Sequence, residues 1–215
     1  MLSFPAMKFS PHLPALLVLL GACRSAGVGP WSPQFTPPGG LDTERLHLEP
    51  LGPQHAELDH AAFMASREYL RRTLHWGEWP REEMTVDQNA ADLRRHWTRF
   101  ALREAYAYTV LSPDRARSLG CVYLEPERID FGEDPSVLLA YWVAEGELAA
   151  DLDRHLLASV LEWLASEWPF KTVFIAPYAG DVRARELAVE LRMQPVDVGG
   201  AGVPDRSVFA CEVDT

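Results

Sequence analysis

The chain is short of basic side chains, cysteines and long apolar segments, and each shortage excludes a class of function. Lysine and arginine number 20 against 31 aspartates and glutamates, giving a formal net charge of −11 over 215 residues. Nucleic acids and anionic membrane surfaces are bound through basic groups that contact phosphate, so this balance argues against both as partners. An acidic chain could favour a cationic or amine substrate, although solubility is the simpler explanation of its charge.

The cysteines and histidines give little sign of disulfide, metal or nucleophile chemistry. Of the three cysteines, Cys121 and Cys211 lie in apolar, strand-like stretches that are typical of buried free thiols. The sequence places no histidine near either of them. His55 and His60 are five residues apart and do not share a helix face well, and the remaining histidines show no metal-ligand spacing. We therefore predict no metal site.

The N-terminus differs in character from the rest of the chain. Lys8 precedes a short apolar run at residues 13–20, which ends in Leu20-Gly21-Ala22-Cys23. This run is too short to span a bilayer but suits the core of a signal peptide. Its end resembles the lipobox of bacterial lipoproteins, in which the cysteine becomes lipidated. We predict a signal peptide over residues 1–23, lipidation of Cys23 and anchoring to the membrane of the bacterial cell envelope. A misassigned start codon is the alternative, and would make the protein cytoplasmic.

Two further segments follow the signal peptide. Residues 24–41 are rich in proline, glycine and serine, and predict a flexible linker. Residues 42–215 predict a single folded domain, which is long enough to bury a core.

Within this domain, apolar periodicity predicts a mixture of helices and strands. Strands are predicted at residues 46–51, 106–111, 119–124, 137–143, 173–176, near Val196 and at 208–213. Helices are predicted at 53–74, from a capping box of Thr85 and Gln88 to about 105, at 152–168 and at 181–193. The third helix carries one apolar stripe: Leu152, Leu156, Leu157, Val160, Leu161 and Leu164. Helix–strand mixing around a central antiparallel run predicts an α+β fold.

Three stretches of the domain resemble those of a known family. Thr43-Glu44-Arg45-Leu46 opens the first strand, and Tyr141-Trp142 ends a later strand directly before a turn and a helix. Asp181-Val182-Arg183-Ala184 then begins the last helix. In their order and spacing, residues 42–213 resemble the GCN5-related N-acetyltransferases (GNAT), specifically the branch that acetylates the N-termini of ribosomal proteins.

The resemblance implies a fold, a cofactor and a reaction. The fold is a mixed, mostly antiparallel sheet of about six to seven strands, flanked by about four helices. Cys121 and Cys211 would lie three strand spacings apart, roughly 14 Å, which is too far for a disulfide. The reaction is the transfer of an acetyl group from acetyl-CoA to an amine of a small molecule or to a peptide N-terminus. The residues at the implied acetyl-CoA site are Trp142, Val143, Leu148, Ala149, Ala150, Asp151, Leu152, Asp153 and Asp181.

The same resemblance suggests roles in catalysis and substrate binding. Glu125 follows a core strand where a carboxylate base could face the cleft, and Tyr178 ends the next core strand, where it could be the acid. His75, Trp76 and Trp79 lie in a loop that would form a substrate wall. Each role has a structural alternative: a solvated carboxylate for Glu125, rim packing for Tyr178 and helix anchoring for the aromatic loop.

Two aspartates make the implied activity doubtful. In the family, backbone N–H groups of the turn before the helix bind the diphosphate of acetyl-CoA, and glycine lets the diphosphate approach. Asp151 and Asp153 occupy positions of glycine and of glycine or alanine. Each carboxylate–phosphate pair at about 5 Å would cost about 1 to 3 kcal/mol. Asp151 could instead cap the helix, the loop could hold CoA through other N–H groups, or the cleft could take a different ligand. The sequence thus predicts a nominal N-acetyltransferase of doubtful activity, or else a non-catalytic ligand- or protein-binding module of an exported lipoprotein.

Overall fold

The computed structural model describes residues 35–126, 136–197 and 205–213. The predicted signal peptide, Cys23 and most of the predicted linker lie outside these residues. No helix within these three ranges is both long enough and apolar enough to cross a membrane.

One eight-stranded sheet organises the described part of the chain, in the order β1-β2-β3-β4-β5-β6-β8-β7. The strands are β1 (Leu41–Asp42), β2 (His47–Pro50), β3 (Tyr106–Leu111), β4 (Ser118–Glu125), β5 (Ser136–Val143), β6 (Thr172–Ile175), β7 (Gln194–Pro195) and β8 (Phe209–Glu212). Every neighbouring pair is antiparallel except β5 and β6, which are parallel. The predicted α+β fold with a mostly antiparallel sheet is confirmed. The strand count exceeds the predicted six to seven because β1, of two residues, also pairs with β2; β7 corresponds to the strand predicted near Val196.

In the three described ranges, five α-helices flank this sheet: α1 (Ala56–Ala65), α2 (Arg67–Leu74), α3 (Val86–Ala101), α4 (Leu152–Glu167) and α5 (Val182–Glu190). The capping box before α3 is confirmed, since Thr85 and Gln88 each bond the other's backbone N–H. The single helix predicted over residues 53–74 is wrong. It breaks at buried Ser66, where the backbone leaves the helical region at φ −107° and ψ 11°. The Oγ of Ser66 accepts the N–H of Glu145 from the turn before α4, so a long-range contact accompanies the break.

The two faces of the sheet carry separate apolar clusters. Along β4, Val122 and Leu124 join the cluster that contains the α4 stripe, whereas Cys121 and Tyr123 join the cluster beneath α1 and α3. This alternation follows from the two-residue period of a strand. Cys121 and Cys211 are free thiols three strand spacings apart, as expected.

Candidate functional site

A cleft opens where the two parallel strands of the sheet separate. β5 and β6 pair only over Ser136–Leu139 and Thr172–Ile175, and β5 then continues to Val143 without β6. Pro177 follows β6 and has no N–H with which to extend the ladder. The resulting cleft measures about 770 Å³, open solvent at its mouth included. Its aromatic and charged lining comprises Tyr69, Trp76, Tyr141, Trp142, Tyr178, Asp153, Asp181, Arg183 and Arg206.

The turn between β5 and α4 has a backbone conformation that favours glycine. Residues Glu145–Ala150 form a 3₁₀ turn, and Asp151 then adopts the left-handed region, with φ 53° and ψ 35°. Aspartate tolerates this region better than most residues that carry a side chain. The turn therefore keeps a backbone suited to glycine while it presents a carboxylate.

The Asp151 side chain does not cap α4. It makes no capping hydrogen bond, so the capping explanation from the sequence is wrong. Capping by a side chain requires the extended backbone that is typical of an N-cap residue, which directs the oxygen toward the N–H groups of the first turn. The left-handed backbone of Asp151 does not provide that geometry.

Both aspartates are bound by one guanidinium group instead. Arg183, on α5, donates from Nε to Asp153 Oδ2 at 2.9 Å and from Nη2 to Asp153 Oδ1 at 3.1 Å. The same Nη2 donates to Asp151 Oδ1 at 2.8 Å. Asp153 Oδ1 also accepts the N–H of Arg154 at 2.9 Å. We call this set of Asp151, Asp153 and Arg183 the Asp–Arg bridge; it joins the start of α4 to the start of α5.

The three members of the Asp–Arg bridge differ in exposure. The side chain of Asp153 is 6% exposed, against 43% for Arg183 and 67% for Asp151. The hydrogen bond to Asp153, followed by the nearby negative charges, raises the pKa of Arg183. The pair of Arg183 with Asp153 is thus the more protected contact, and the pair with Asp151 is open to solvent.

Asp181 adds a further carboxylate to the cleft. It is the N-cap of α5, and its Oδ1 accepts the N–H of Ala184 at 3.1 Å. Burial first, and then the charge of Asp153, raise its pKa. Burial, together with Asp181 and Asp153, also raises the pKa of Tyr69 to about 12 and raises that of Tyr141. Burial and the neighbouring carboxylates thus both disfavour a negative charge at this wall of the cleft, while the Arg206 guanidinium opposes the effect at Asp181.

Several solved structures of acetyltransferases have the same architecture. RimL, a ribosomal L7/L12 alpha-N-protein acetyltransferase in complex with coenzyme A, matches with a TM-score of 0.66 and 12% identity, over 80% of this chain and 96% of its own. A ribosomal-protein-S5-alanine acetyltransferase from Vibrio fischeri gives 0.64 and 12%, over 81% and 97%. The microcin C7 self-immunity acetyltransferase MccE, in complex with acetyl-CoA and AMP, gives 0.63 and 10%, over 82% and 98%. The chain has the GNAT fold. The sequence matches no protein-family model and no curated protein.

The residues that the GNAT resemblance implied for acetyl-CoA divide into two groups. Four of them line the cleft: Trp142, Val143, Asp153 and Asp181. The other five, Leu148, Ala149, Ala150, Asp151 and Leu152, form the turn and the start of α4 outside this lining. Ala149, Ala150 and Asp151 are exposed, whereas Leu152 is buried in the core.

The predicted substrate wall lies against the cleft of this GNAT fold, but its members differ. The His75 ring stacks on Tyr178, with centroids 3.6 Å apart and an interplanar angle of 16°. Trp76 lines the cleft and packs edge-on to Tyr123 at 5.7 Å. Trp79 packs between Phe63 and Trp142, at 5.4 and 5.9 Å. His75 and Tyr178 thus form part of the cleft rim, while Trp79 anchors helices to the sheet.

The two predicted catalytic residues occupy different surroundings. Tyr178 lines the cleft. Glu125 is buried at the end of β4 and is outside the lining, and its two oxygens accept from Arg99 at 2.8 and 2.6 Å. A bidentate pair with arginine engages both oxygens of a carboxylate, so this geometry does not favour a general base. The role of Tyr178 stays a prediction.

Sequence reasoning missed two arginines that shape the cleft. The sequence indicates only that Arg183 lies in a helix start, and its partners lie about 30 residues earlier. Arg206 donates to the carbonyls of Leu74 at 2.8 Å, His75 at 3.1 Å and Ala176 at 3.3 Å, and so ties the end of α2 to the end of β6. No local pattern predicts such long-range contacts. In the described part of the chain, no group of histidine, cysteine, aspartate and glutamate side chains is arranged to hold a metal ion.

Proposed function

We propose that this chain is a ligand- or protein-binding module with the GNAT fold, in which acetyl transfer from acetyl-CoA is weak or lost. The Asp–Arg bridge is the observation that carries this proposal. In the bridge, two carboxylates share one guanidinium at the N-terminus of α4. The GNAT resemblance implies that the diphosphate of acetyl-CoA would bind at this helix end. The residues present therefore do not fit that cofactor.

The cost to a diphosphate follows from the charges of the bridge. Asp151 and Asp153 contribute two negative charges and Arg183 one positive charge, so the bridge carries a net charge of −1. At about 5 Å, each contact of that net charge with a phosphate group costs about 1 to 3 kcal/mol. Two phosphate groups double this cost, and a ligand with a micromolar dissociation constant has only about 8 kcal/mol of binding free energy. Capture of Arg183 by the diphosphate would not help, because it would leave nearly buried Asp153 without its cation.

Calorimetric titration with acetyl-CoA tests the proposal. The wild type should show no binding, or only a millimolar dissociation constant, because of the charge of the turn. The variant Asp151→Gly with Asp153→Gly should bind at least about tenfold more tightly, since it removes two negative charges and leaves Arg183 free for phosphate. Arg183→Met is the matched control and should bind no better than the wild type. Micromolar binding by the wild type, with acetyl transfer to an amine, would overturn the proposal.

A second candidate function is that of an N-acetyltransferase for an amine of a small molecule or a peptide N-terminus. Two observations favour it: Asp151 keeps the left-handed backbone that suits glycine, and the cleft reaches the hydroxyl-bearing ring of Tyr178. If this candidate is correct, the wild type will consume acetyl-CoA in the presence of small amines or short peptides, and Tyr178→Phe will lower the turnover. Equal turnover in both proteins would exclude Tyr178 as the acid.

We also propose that the module is carried by a lipoprotein of the bacterial cell envelope. The order of Lys8, the apolar run at residues 13–20 and Cys23 supports this proposal. It agrees with a cleft that is unsuited to acetyl-CoA, a cytoplasmic metabolite. Metabolic labelling with a fatty acid should mark the wild type and leave Cys23→Ala unmarked. An unlabelled wild type would favour the cytoplasmic alternative and, with it, the enzyme.

A further inference from the structure

We infer that the outward face of α5 is a contact surface for a second copy of this chain, with two copies of α5 packed antiparallel about a two-fold axis. The α5 face consists of Val182, Arg185, Glu186 and Val189. It lies outside the Asp–Arg bridge, so this inference does not depend on the proposed function.

The apolar residues of α5 lie on both sides of the helix. Leu187 and Ala188 are buried against the core. Val182 and Val189 are 57% and 63% exposed, and they are two of the four large apolar side chains exposed in the described residues. They are seven positions apart, close to two helical turns, so both project from one stripe about 10 Å long. A single exposed valine is common on protein surfaces. Here two exposed valines flank two charged residues along the same side of α5.

That pattern is self-complementary. A two-fold axis that passes midway between Arg185 and Glu186 would pair two antiparallel copies of α5. It would place Val182 of one copy against Val189 of the other. The same axis would place Arg185 of each copy against Glu186 of the other. A two-fold interface makes every contact twice, so each dimer would gain two apolar contacts and two ion pairs. A parallel two-fold pairing would set Arg185 against Arg185 and Glu186 against Glu186, and an antiparallel pairing shifted by one turn would set valine against charge.

The charged pair at the centre of the α5 face is available for such contacts. Arg185 donates one N–H, from Nη1, to the carbonyl of Ala179 at 2.9 Å, and its other donors remain for a partner. Glu186 makes no ion pair with any residue of the described ranges. Glu190, one turn further on, already pairs with Arg154 at 2.6 Å. The unpaired glutamate therefore coincides with the centre of the symmetric pattern.

The neighbouring surface can enlarge the contact. The α5 face is one wall of an open groove beside the edge strand β7. The other wall combines apolar and polar side chains: Pro195, Val196, Val208 and Phe209 with Asp197, Arg206 and Ser207. A stable interface buries about 800 Å² per partner, and a helix of nine residues supplies only part of that area. With the groove included, we expect a weak dimer with a dissociation constant of about 10 to 100 µM.

Sedimentation equilibrium of the full-length chain tests the inference by charge exchange. The wild type should associate to a dimer as its concentration rises to about 1 mM. Arg185→Glu and Glu186→Arg should each weaken the dimer at least about tenfold, because like charges then meet twice in every dimer. The double variant should restore the affinity, since the ion pairs re-form with their signs exchanged. Val189→Ser should also weaken the dimer.

A matched control uses another exposed apolar side chain. Trp97 on α3 is 48% exposed, so Trp97→Ser removes comparable apolar surface elsewhere and should leave the dimer unchanged. A chain that stays monomeric throughout the concentration range would overturn the inference. So would a dimer that is insensitive to both single charge substitutions, or one that the double variant fails to restore. Circular dichroism of each variant shows that it remains folded.

Discussion

Replacing Arg183 with methionine should destabilise the fold through Asp153. Methionine keeps the apolar part of the side chain and removes the guanidinium group that bonds both Asp153 oxygens. Asp153 is 6% exposed, so its carboxylate would then face nearby Asp181 without a cation. Breaking a buried ion pair typically costs about 3 to 5 kcal/mol. Because Arg183 is itself 43% exposed, solvent screening reduces the expected loss to about 1 to 2 kcal/mol.

A double-mutant cycle measured by urea unfolding isolates this interaction. Asp153→Asn should cost less than Arg183→Met, because it leaves an arginine that can reach solvent and Asp151. The double variant Arg183→Met with Asp153→Asn should be more stable than Arg183→Met alone, with a coupling free energy of at least about 1 kcal/mol. Asp151→Asn is the exposed control and should change the unfolding free energy by less than about 0.5 kcal/mol. Coupling near zero would refute the view that the bridge holds α4 and α5 together.

Three further predictions concern other parts of the fold. Burial, followed by nearby guanidinium groups, lowers the pKa of His96 from 6.5 to about 4. The NMR signals of the His96 ring should therefore not shift between about pH 7 and pH 5. A titration midpoint near pH 6.5 would contradict this prediction. Burial raises the pKa of Asp59 above 3.8, so the folded state holds this proton more tightly than the unfolded state. The wild type should therefore gain unfolding free energy relative to Asp59→Asn as the pH falls from neutral. A difference in unfolding free energy between the two proteins that does not change with pH would contradict a raised pKa of Asp59. A Cβ on Gly120 would lie 2.0 Å from the Trp142 carbonyl oxygen, whereas one on Gly146 would meet nothing within 4 Å. Gly120→Ala should cost more than about 3 kcal/mol and Gly146→Ala less than about 0.5 kcal/mol in thermal or urea unfolding.

Local patterns in the sequence predicted most of the fold. The stripe of α4, the capping box before α3 and the four central strands all depend on spacing within one element, and the structure contains each of them. The break between α1 and α2 could not be predicted in this way. It occurs at a serine that accepts a hydrogen bond from Glu145, about 80 residues later. The additional strand β1 is two residues long, too short for a periodic signal.

The candidate site was predictable in position but not in chemistry. The order of strand, turn and helix located the turn before α4, and the cleft lies beside it. The sequence also showed that two carboxylates occupy this turn. It did not show that Arg183 binds both of them, because α5 is brought to α4 only by the tertiary fold. The capping explanation failed for the same reason, since it considered only hydrogen bonds within one helix.

The backbone and the side chains of this turn have different consequences for function. Asp151 adopts the left-handed conformation that a glycine would favour. A diphosphate, however, responds to charge and bulk as well as to backbone N–H groups. Arg183 neutralises enough charge to let two aspartates sit together, yet the bridge keeps a net negative charge and adds side chains at the helix start. Under the proposed function, the fold retains its cleft while its charge weakens binding of the coenzyme A that structures with this fold hold. The fold alone does not transfer an activity, and under the proposed function the charge of three side chains controls the affinity for acetyl-CoA.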